Sequence, residues 1–143
     1  FRLLRDLQRG GLLPIIRERV LAGVPYYGVS AGCNVACPTI MTTNDMPITR
    51  PESMDALGLV PFLVNPHYFE GAGFVAHFGE TRDERIAEFH EENKTPVLGL
   101  WEGGLLKREG ASLRLLEGAP ARLFRRGQTP VDFAPGADLS FLL

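Results

Sequence analysis

Cysteine is nearly absent from this sequence: Cys33 and Cys37 are the only two. A pair four residues apart makes a poor disulfide framework, and no further ligands stand at zinc-site spacing, so no metal is expected. Excess charge is lacking as well. Fifteen Lys and Arg against 17 Asp and Glu leave a formal net charge of -2, which gives no electrostatic basis for binding nucleic acid. No apolar run approaches the length of a membrane-spanning helix, so no membrane partner is expected. There are no internal repeats and no low-complexity tracts. What remains is an ordinary globular composition, 45% hydrophobic and 22% charged over 143 residues. That is enough for one domain, residues 1–143, with its own core. A reducing cytoplasm is the expected compartment.

Glycine, by contrast, is plentiful, with 16 residues. Two of them frame the pentapeptide Gly28-Val29-Ser30-Ala31-Gly32. A short apolar, aromatic run precedes it and small residues follow. That is the strand–turn–helix setting of a nucleophile elbow, G-x-S-x-G. Without a Cβ at either end, the backbone can turn sharply there. Ser30 would project from the tip, and the Ala31 N–H would point to where an oxyanion forms. Taken alone, the pattern fits an ordinary glycine turn equally well.

Taken in order, the chain opens at Phe1 inside a predicted helix carrying Leu3, Leu4 and Leu7 on one face. An α/β unit normally begins with a strand, so an amino-terminal portion is expected ahead of Phe1. A second helix is predicted over 12–21, a short buried strand over 25–29, and a short helix over 31–37 ended by Pro38. Residues 39–51 have no period and read as an ordered loop. A buried strand is predicted over 59–64, with Pro66 stopping its ladder and His67 at its end. Residues 68–79 read as a loop. Thr81 and Glu84 form a capping box, opening a helix that runs to about 93. His90 is placed on its solvated face. Another buried strand over 95–100 ends at Trp101-Glu102. Turns at Gly110 and Gly118 then mark a β-meander, and residues 132–143 read as a loose tail or last strand. The alternation predicts an α/β fold with a largely parallel sheet flanked by helices and a C-terminal β-meander.

Three polar residues stand at the carboxyl ends of predicted strands: Ser30, His67 and Glu102. In an open parallel sheet those ends share one edge, where ligand crevices form. Serine, histidine and carboxylate together have the roles of nucleophile, general base and base orienter. Individually, each fits a plainer role. A histidine after proline is commonly a bonded loop residue, a glutamate before Gly-Gly a solvated turn residue, and Asn44 and Asp45 local backbone partners. Cys33, inside the helix, fits packing.

The blocks from Gly28 to Gly32, Cys37-Pro38-Thr39-Ile40 and Thr42-Thr43-Asn44-Asp45-Met46-Pro47-Ile48 resemble the aspartyl dipeptidase (peptidase E) family. So do Asn65-Pro66-His67, Gly79-Glu80-Thr81-Arg82 and Gly99-Leu100 with Glu102-Gly103, in the family's order. The resemblance implies a fold like the class I glutamine amidotransferases, with serine at the elbow. It implies a cytoplasmic serine exopeptidase acting on small Asp-Xaa peptides, with no cofactor. The family's triad falls on Ser30, His67 and Glu102, with Ala31 as an oxyanion donor. Asp45, beside Asn44, would meet the substrate's ammonium. Arg82, assisted by His77, would meet its β-carboxylate. A Gly-Gly-Asn-Thr segment ahead of Phe1 would supply the second oxyanion donor, from an N-terminal segment or a partner chain completing the fold. A homodimer is compatible with this reading. The rival expectations are a cyanophycinase-type or isoaspartyl exopeptidase, and a non-catalytic amidotransferase-like binding module.

Overall fold

The computed structural model describes residues 1–69 and 80–143. Helices α1 (Arg2–Arg9) and α2 (Leu12–Leu21) open the chain. Gly11, at φ 62°, makes the break between them, a backbone conformation that glycine adopts without penalty. Leu4 is buried, whereas Leu3 lies mostly outside. With Val35, Ile40 and Leu57, Leu4 builds a small core against which Leu7, Leu13 and Ile16 pack. Helix α3 (Ala31–Ala36) follows the pentapeptide.

The strand predicted over 25–29 is not formed. No ladder pairs with that stretch among the described residues, and Tyr27 and Val29 are 80% and 61% exposed. Its apolar pattern has no neighbouring strand to bury it.

Among the described residues the main sheet has four strands in the order β1 (Leu63–Tyr68), β2 (Val97–Trp101), β5 (Ala121–Phe124) and β6 (Val131–Phe133). Only β1 and β2 are parallel among the described residues, joined by a crossover that carries α4 (Arg82–Glu92). The pairs β2–β5 and β5–β6 are antiparallel. The sheet is therefore mixed rather than largely parallel, because one crossover supplies one parallel pair and short connections supply the rest. Between β2 and β5 lies a separate hairpin, β3 (Leu106–Glu109) and β4 (Ser112–Leu115), turning at Gly110. The expected meander thus divides between two sheets. Leu113 and Leu115 face inward while Ser112 and Arg114 face out, the period of a half-buried strand.

Three further expectations are corrected. Strand β1 begins four residues later than predicted and runs through Pro66, which pairs with Leu100. Proline is tolerated there because β1 is an edge strand of this sheet and the ladder becomes irregular at that point. His90 is buried, its Nε2 3.0 Å from the Thr95 carbonyl. It occupies the last turn of α4, where the chain folds back into β2. The tail begins in a last strand, β6, one of the two expected outcomes, and beyond it is ordered rather than loose: Leu139 is fully buried, and Asp138 accepts from the Ser140 N–H at 2.9 Å. The capping box on α4 forms as predicted, with the Thr81 hydroxyl accepting from the Glu84 N–H. No described helix is long and apolar enough to cross a membrane.

Candidate active site

The elbow is built by packing across Gly28. A Cβ on Gly28 would lie 2.7 Å from the Gly32 carbonyl group and 2.8 Å from the Tyr26 ring. Two side chains cross the turn. The Tyr26 hydroxyl donates to the Gly32 carbonyl at 2.7 Å, and the Cys33 thiol donates to the Gly28 carbonyl at 3.2 Å. Burial raises the Tyr26 pKa, with Cys33 and Cys37 adding to it, so the hydroxyl stays protonated and donating. Cys33 is thereby a tie within the turn. Cys37 is buried, its Sγ accepting from the Val64 N–H at 3.2 Å, and burial pushes its thiol up to about 12.

This packing holds Ser30 at φ 51° and ψ -111°, immediately ahead of α3. His67 has φ 54°. Among the described residues these are the only non-glycine residues at positive φ. Such backbone costs about 1–3 kcal/mol per residue and persists where the surroundings over-determine it, characteristically at functional sites.

His67 is the extra residue of a bulge. The β1–β2 register runs from Leu63↔Val97 to Pro66↔Leu100, then resumes at Tyr68↔Trp101. The imidazole is thrown out of the ladder to the surface, where its Nδ1 stands 2.5 Å from Glu102 Oε2. Both side chains are at least half exposed, so the pair contributes little to stability. Its effect is orientation. A carboxylate on Nδ1 fixes a proton there and leaves Nε2 as the basic nitrogen. The structure thus joins His67 and Glu102. Ser30 stands at the elbow without a hydrogen bond to either, although the helix it opens packs against β1. Ala31 follows it, and the first amide hydrogens of a helix have no partner within the helix.

The other predicted residues fall as follows. Asp45 is exposed and shares a small hollow with Ala31, Asn34 and Thr43. Asn44 faces the protein: its side chain exchanges hydrogen bonds with Asn65, at 3.3 and 3.1 Å, and its amide reaches the Pro66 carbonyl at 3.4 Å. Asn65 also donates to the Thr42 carbonyl at 2.8 Å. These bonds fasten the 42–45 loop to the end of β1, next to His67. Arg82, in the first turn of α4, lies 5.3 Å from the Phe69 ring centre, a cation–π distance. Burial lowers its pKa, followed by the charge of Arg85. His77 lies outside the described residues.

Sequence reasoning missed the residues behind the His67–Glu102 pair. Tyr68 is buried, stacked edge-on against Trp101 with ring centres 4.3 Å apart. Its hydroxyl donates to Asp83 and accepts from Arg122 at 3.3 Å. Tyr68 had a local signal, its place directly after His67. Arg122, more than fifty residues away in sequence, had none.

Comparison with known proteins adds the family. Residues 1–116 match the description "Peptidase family S51". A peptidase E from Streptomyces coelicolor is 53% identical over 143 residues, all of this chain and 59% of its own length. A probable alpha-aspartyl dipeptidase from Drosophila melanogaster is 50% identical over 144 residues, again the whole chain and 60% of its own length. The chain thus spans about three fifths of the curated relatives it matches. A crystal structure of a putative peptidase E from Listeria monocytogenes superposes with a TM-score of 0.51 at 23% identity, over 92% of this chain and 53% of that one; that likeness speaks for the fold. With the elbow, the His–Glu pair and these matches together, the chain belongs to peptidase family S51.

Proposed function

We propose that this chain carries the catalytic residues of a serine exopeptidase that hydrolyses dipeptides with an amino-terminal aspartate. The observation that carries the reading is the strained pair. The two described non-glycine residues at positive φ are a serine on an elbow and a histidine, and that histidine is bonded to a glutamate. Strain at both positions has a reason if both meet the reacting peptide.

In this reading Ser30 Oγ attacks the carbonyl carbon of the aspartyl residue while His67 Nε2 takes its proton. The Ala31 N–H faces the developing oxyanion. Collapse of the tetrahedral adduct breaks the C–N bond, and His67 returns the proton to the leaving amine. Water, deprotonated by the same imidazole, then resolves the acyl-enzyme and restores Ser30. Glu102 holds the tautomer throughout. Asp45 meets the substrate's ammonium, on a loop that Asn44 and Asn65 hold to β1. Arg82, with His77, meets the β-carboxylate, its lowered hydration favouring a carboxylate partner.

The same reading takes the protein to work in the cytoplasm and to have a class I amidotransferase-like fold. The curated relatives are longer than this chain; a second oxyanion donor from residues outside this sequence, or from a partner subunit, completes the reading. The test is hydrolysis of Asp-Leu against Ala-Leu by the whole protein and its Ser30→Ala variant. Cleavage of Asp-Leu alone, abolished in the variant, is expected. Undiminished cleavage by the variant, or equal cleavage of Ala-Leu, would overturn the assignment.

A further inference from the structure

We infer that Tyr68, Asp83 and Arg122 are positioning residues for the His67–Glu102 pair, holding the bulge that presents the imidazole. The inference rests on the proposed role of that pair. It concerns how the pair is kept assembled on the surface, where the pair itself contributes little binding energy.

The bulge has an obvious way to relax. If only the segment after Pro66 slipped by one residue, His67 would pair with Trp101 and the ladder would become regular. The imidazole would then take the ladder position, and so the face of the sheet, that Tyr68 now holds. The exposed His67–Glu102 pair offers only weak resistance to this, so most of the resistance must come from the neighbouring Tyr68. Tyr68 is held from three directions. Its ring stands edge-on to Trp101, the residue directly before Glu102. The ring also fills the space over Gly99, where a Cβ would lie 2.7 Å from it. Its hydroxyl donates to Asp83 Oδ1 and accepts from Arg122.

Arg122 anchors this arrangement. It is the register partner of Gly99 on β5, so its side chain lies across the same gap as the Tyr68 ring. The Arg122 side chain is 13% exposed. It forms a two-pronged bond to Asp132 on β6, at 2.6 and 2.8 Å, and stands 3.5 Å from Asp83 Oδ2. Its carbon is 5.6 Å from the Trp101 ring centre and 6.0 Å from that of Tyr68. Strand β5, through Arg122, and the first turn of α4, through Asp83, therefore meet at the hydroxyl of the residue next to His67, and Asp132 of β6 holds Arg122 in place. Burial first, then the Asp83 bond and charge, push that hydroxyl well above its ordinary pKa, with Arg122 opposing them. It remains a donor throughout the working range.

The test separates positioning from packing. Tyr68→Phe keeps the ring and its contacts and removes only the hydroxyl. Asp83→Ala removes the acceptor, while Asp83→Asn keeps an Oδ1 that can accept. Each variant of the whole protein is assayed for kcat and KM on Asp-Leu, and by proton NMR for the far-downfield resonance of the His67 Nδ1–H bonded to Glu102. Tyr68→Phe and Asp83→Ala are expected to lose up to about 100-fold in kcat with KM unchanged, as a sub-ångström to one-ångström misplacement does, and to lose or broaden the resonance. Asp83→Asn is expected to retain both. A lowered melting temperature with kcat and resonance intact would overturn the inference, and so would a kcat loss equal in Asp83→Asn and Asp83→Ala. The resonance reports on the His67–Glu102 bond whatever the substrate, so a failure of the dipeptidase reading is seen separately, in the Ser30→Ala assay.

Discussion

Placing a single methyl group on Gly28 tests the elbow directly. The Cβ of alanine there would stand 2.7 Å from both the carbon and the oxygen of the Gly32 carbonyl, and 2.8 Å from Tyr26 Cε1. Ordinary contact between carbons begins near 3.5 Å, so the shortfall is close to 1 Å. Tyr26 could swing away only by giving up its bond to the Gly32 carbonyl. The Gly32 backbone cannot retreat without loosening its N–H bond to Val29 and the Cys33 bond to Ser30, at 2.8 and 2.9 Å. Overpacking of this kind costs about 1–3 kcal/mol. The φ of Gly28 is not positive, so alanine returns about 0.4–1 kcal/mol through the unfolded chain. The net loss is at most about 2.6 kcal/mol, a fall of up to several degrees in melting temperature for a chain of this size. The larger effect is on rate. Ser30 and Ala31 sit inside the segment that must move, and displacement near 1 Å costs about 100-fold in kcat. Gly32→Ala supplies the contrast. Its Cβ would meet only the Tyr26 hydroxyl, at 3.7 Å, and alanine is the better helix former by about 1 kcal/mol. It is expected to keep activity and melt no lower than the parent. Differential scanning calorimetry with Asp-Leu hydrolysis reads both variants. Equal behaviour of the two, or an active and stable Gly28→Ala, would refute the packing account of the elbow.

Three further outcomes are expected. Ser30→Gly relieves the φ 51° strain, so it should raise the melting temperature while abolishing hydrolysis; a lowered melting temperature would show that the strain is not there to release. Cys37, with its thiol pushed up to about 12, carries about one thiolate in 10⁴ at pH 8. Iodoacetamide should therefore modify it only after unfolding in guanidinium, and stoichiometric labelling mapped to Cys37 in the native protein, as distinct from the half-buried Cys33, would contradict its buried place. The hydrogen bonds from Arg122 hold the Asp132 pKa below its ordinary value. A carboxylate depressed in the folded state stabilises fully above its unfolded pKa and loses that contribution as pH falls through the folded value. Asp132→Asn should then be less stable at neutral pH and show a shallower loss of stability on acidification; parallel stability–pH curves would count against the pairing.

Much of this was legible along the chain because the signals were local. The capping box at Thr81 and Glu84, the glycine break at Gly11 and the alternating Ser112-to-Leu115 strand each depend on a few adjacent residues. Ser30, His67 and Glu102 could be named because strand ends and a glycine frame mark them. What stayed hidden depends on partners far away in sequence. An apolar run over 25–29 looks like a strand until one asks what pairs with it. Pro66 reads as a ladder stop, yet the bulge beside it lets the strand continue. His90 reads as solvated on a polar helix face, and the fold-back to Thr95 buries it. The mixed sheet follows from which strands become neighbours, and Arg122 acquires its place only when β5 is laid beside β2. Even within the motif, sequence treats Gly28 and Gly32 alike, and only packing distinguishes them.

The central claim is that Ser30 is a nucleophile activated by His67. It is tested most directly by treating the protein with a fluorophosphonate and mapping the adduct by peptide mass spectrometry. The account predicts one adduct, on Ser30, that is lost in His67→Ala although the fold is retained. Labelling at another residue, or labelling of Ser30 that proceeds equally without His67, would contradict it.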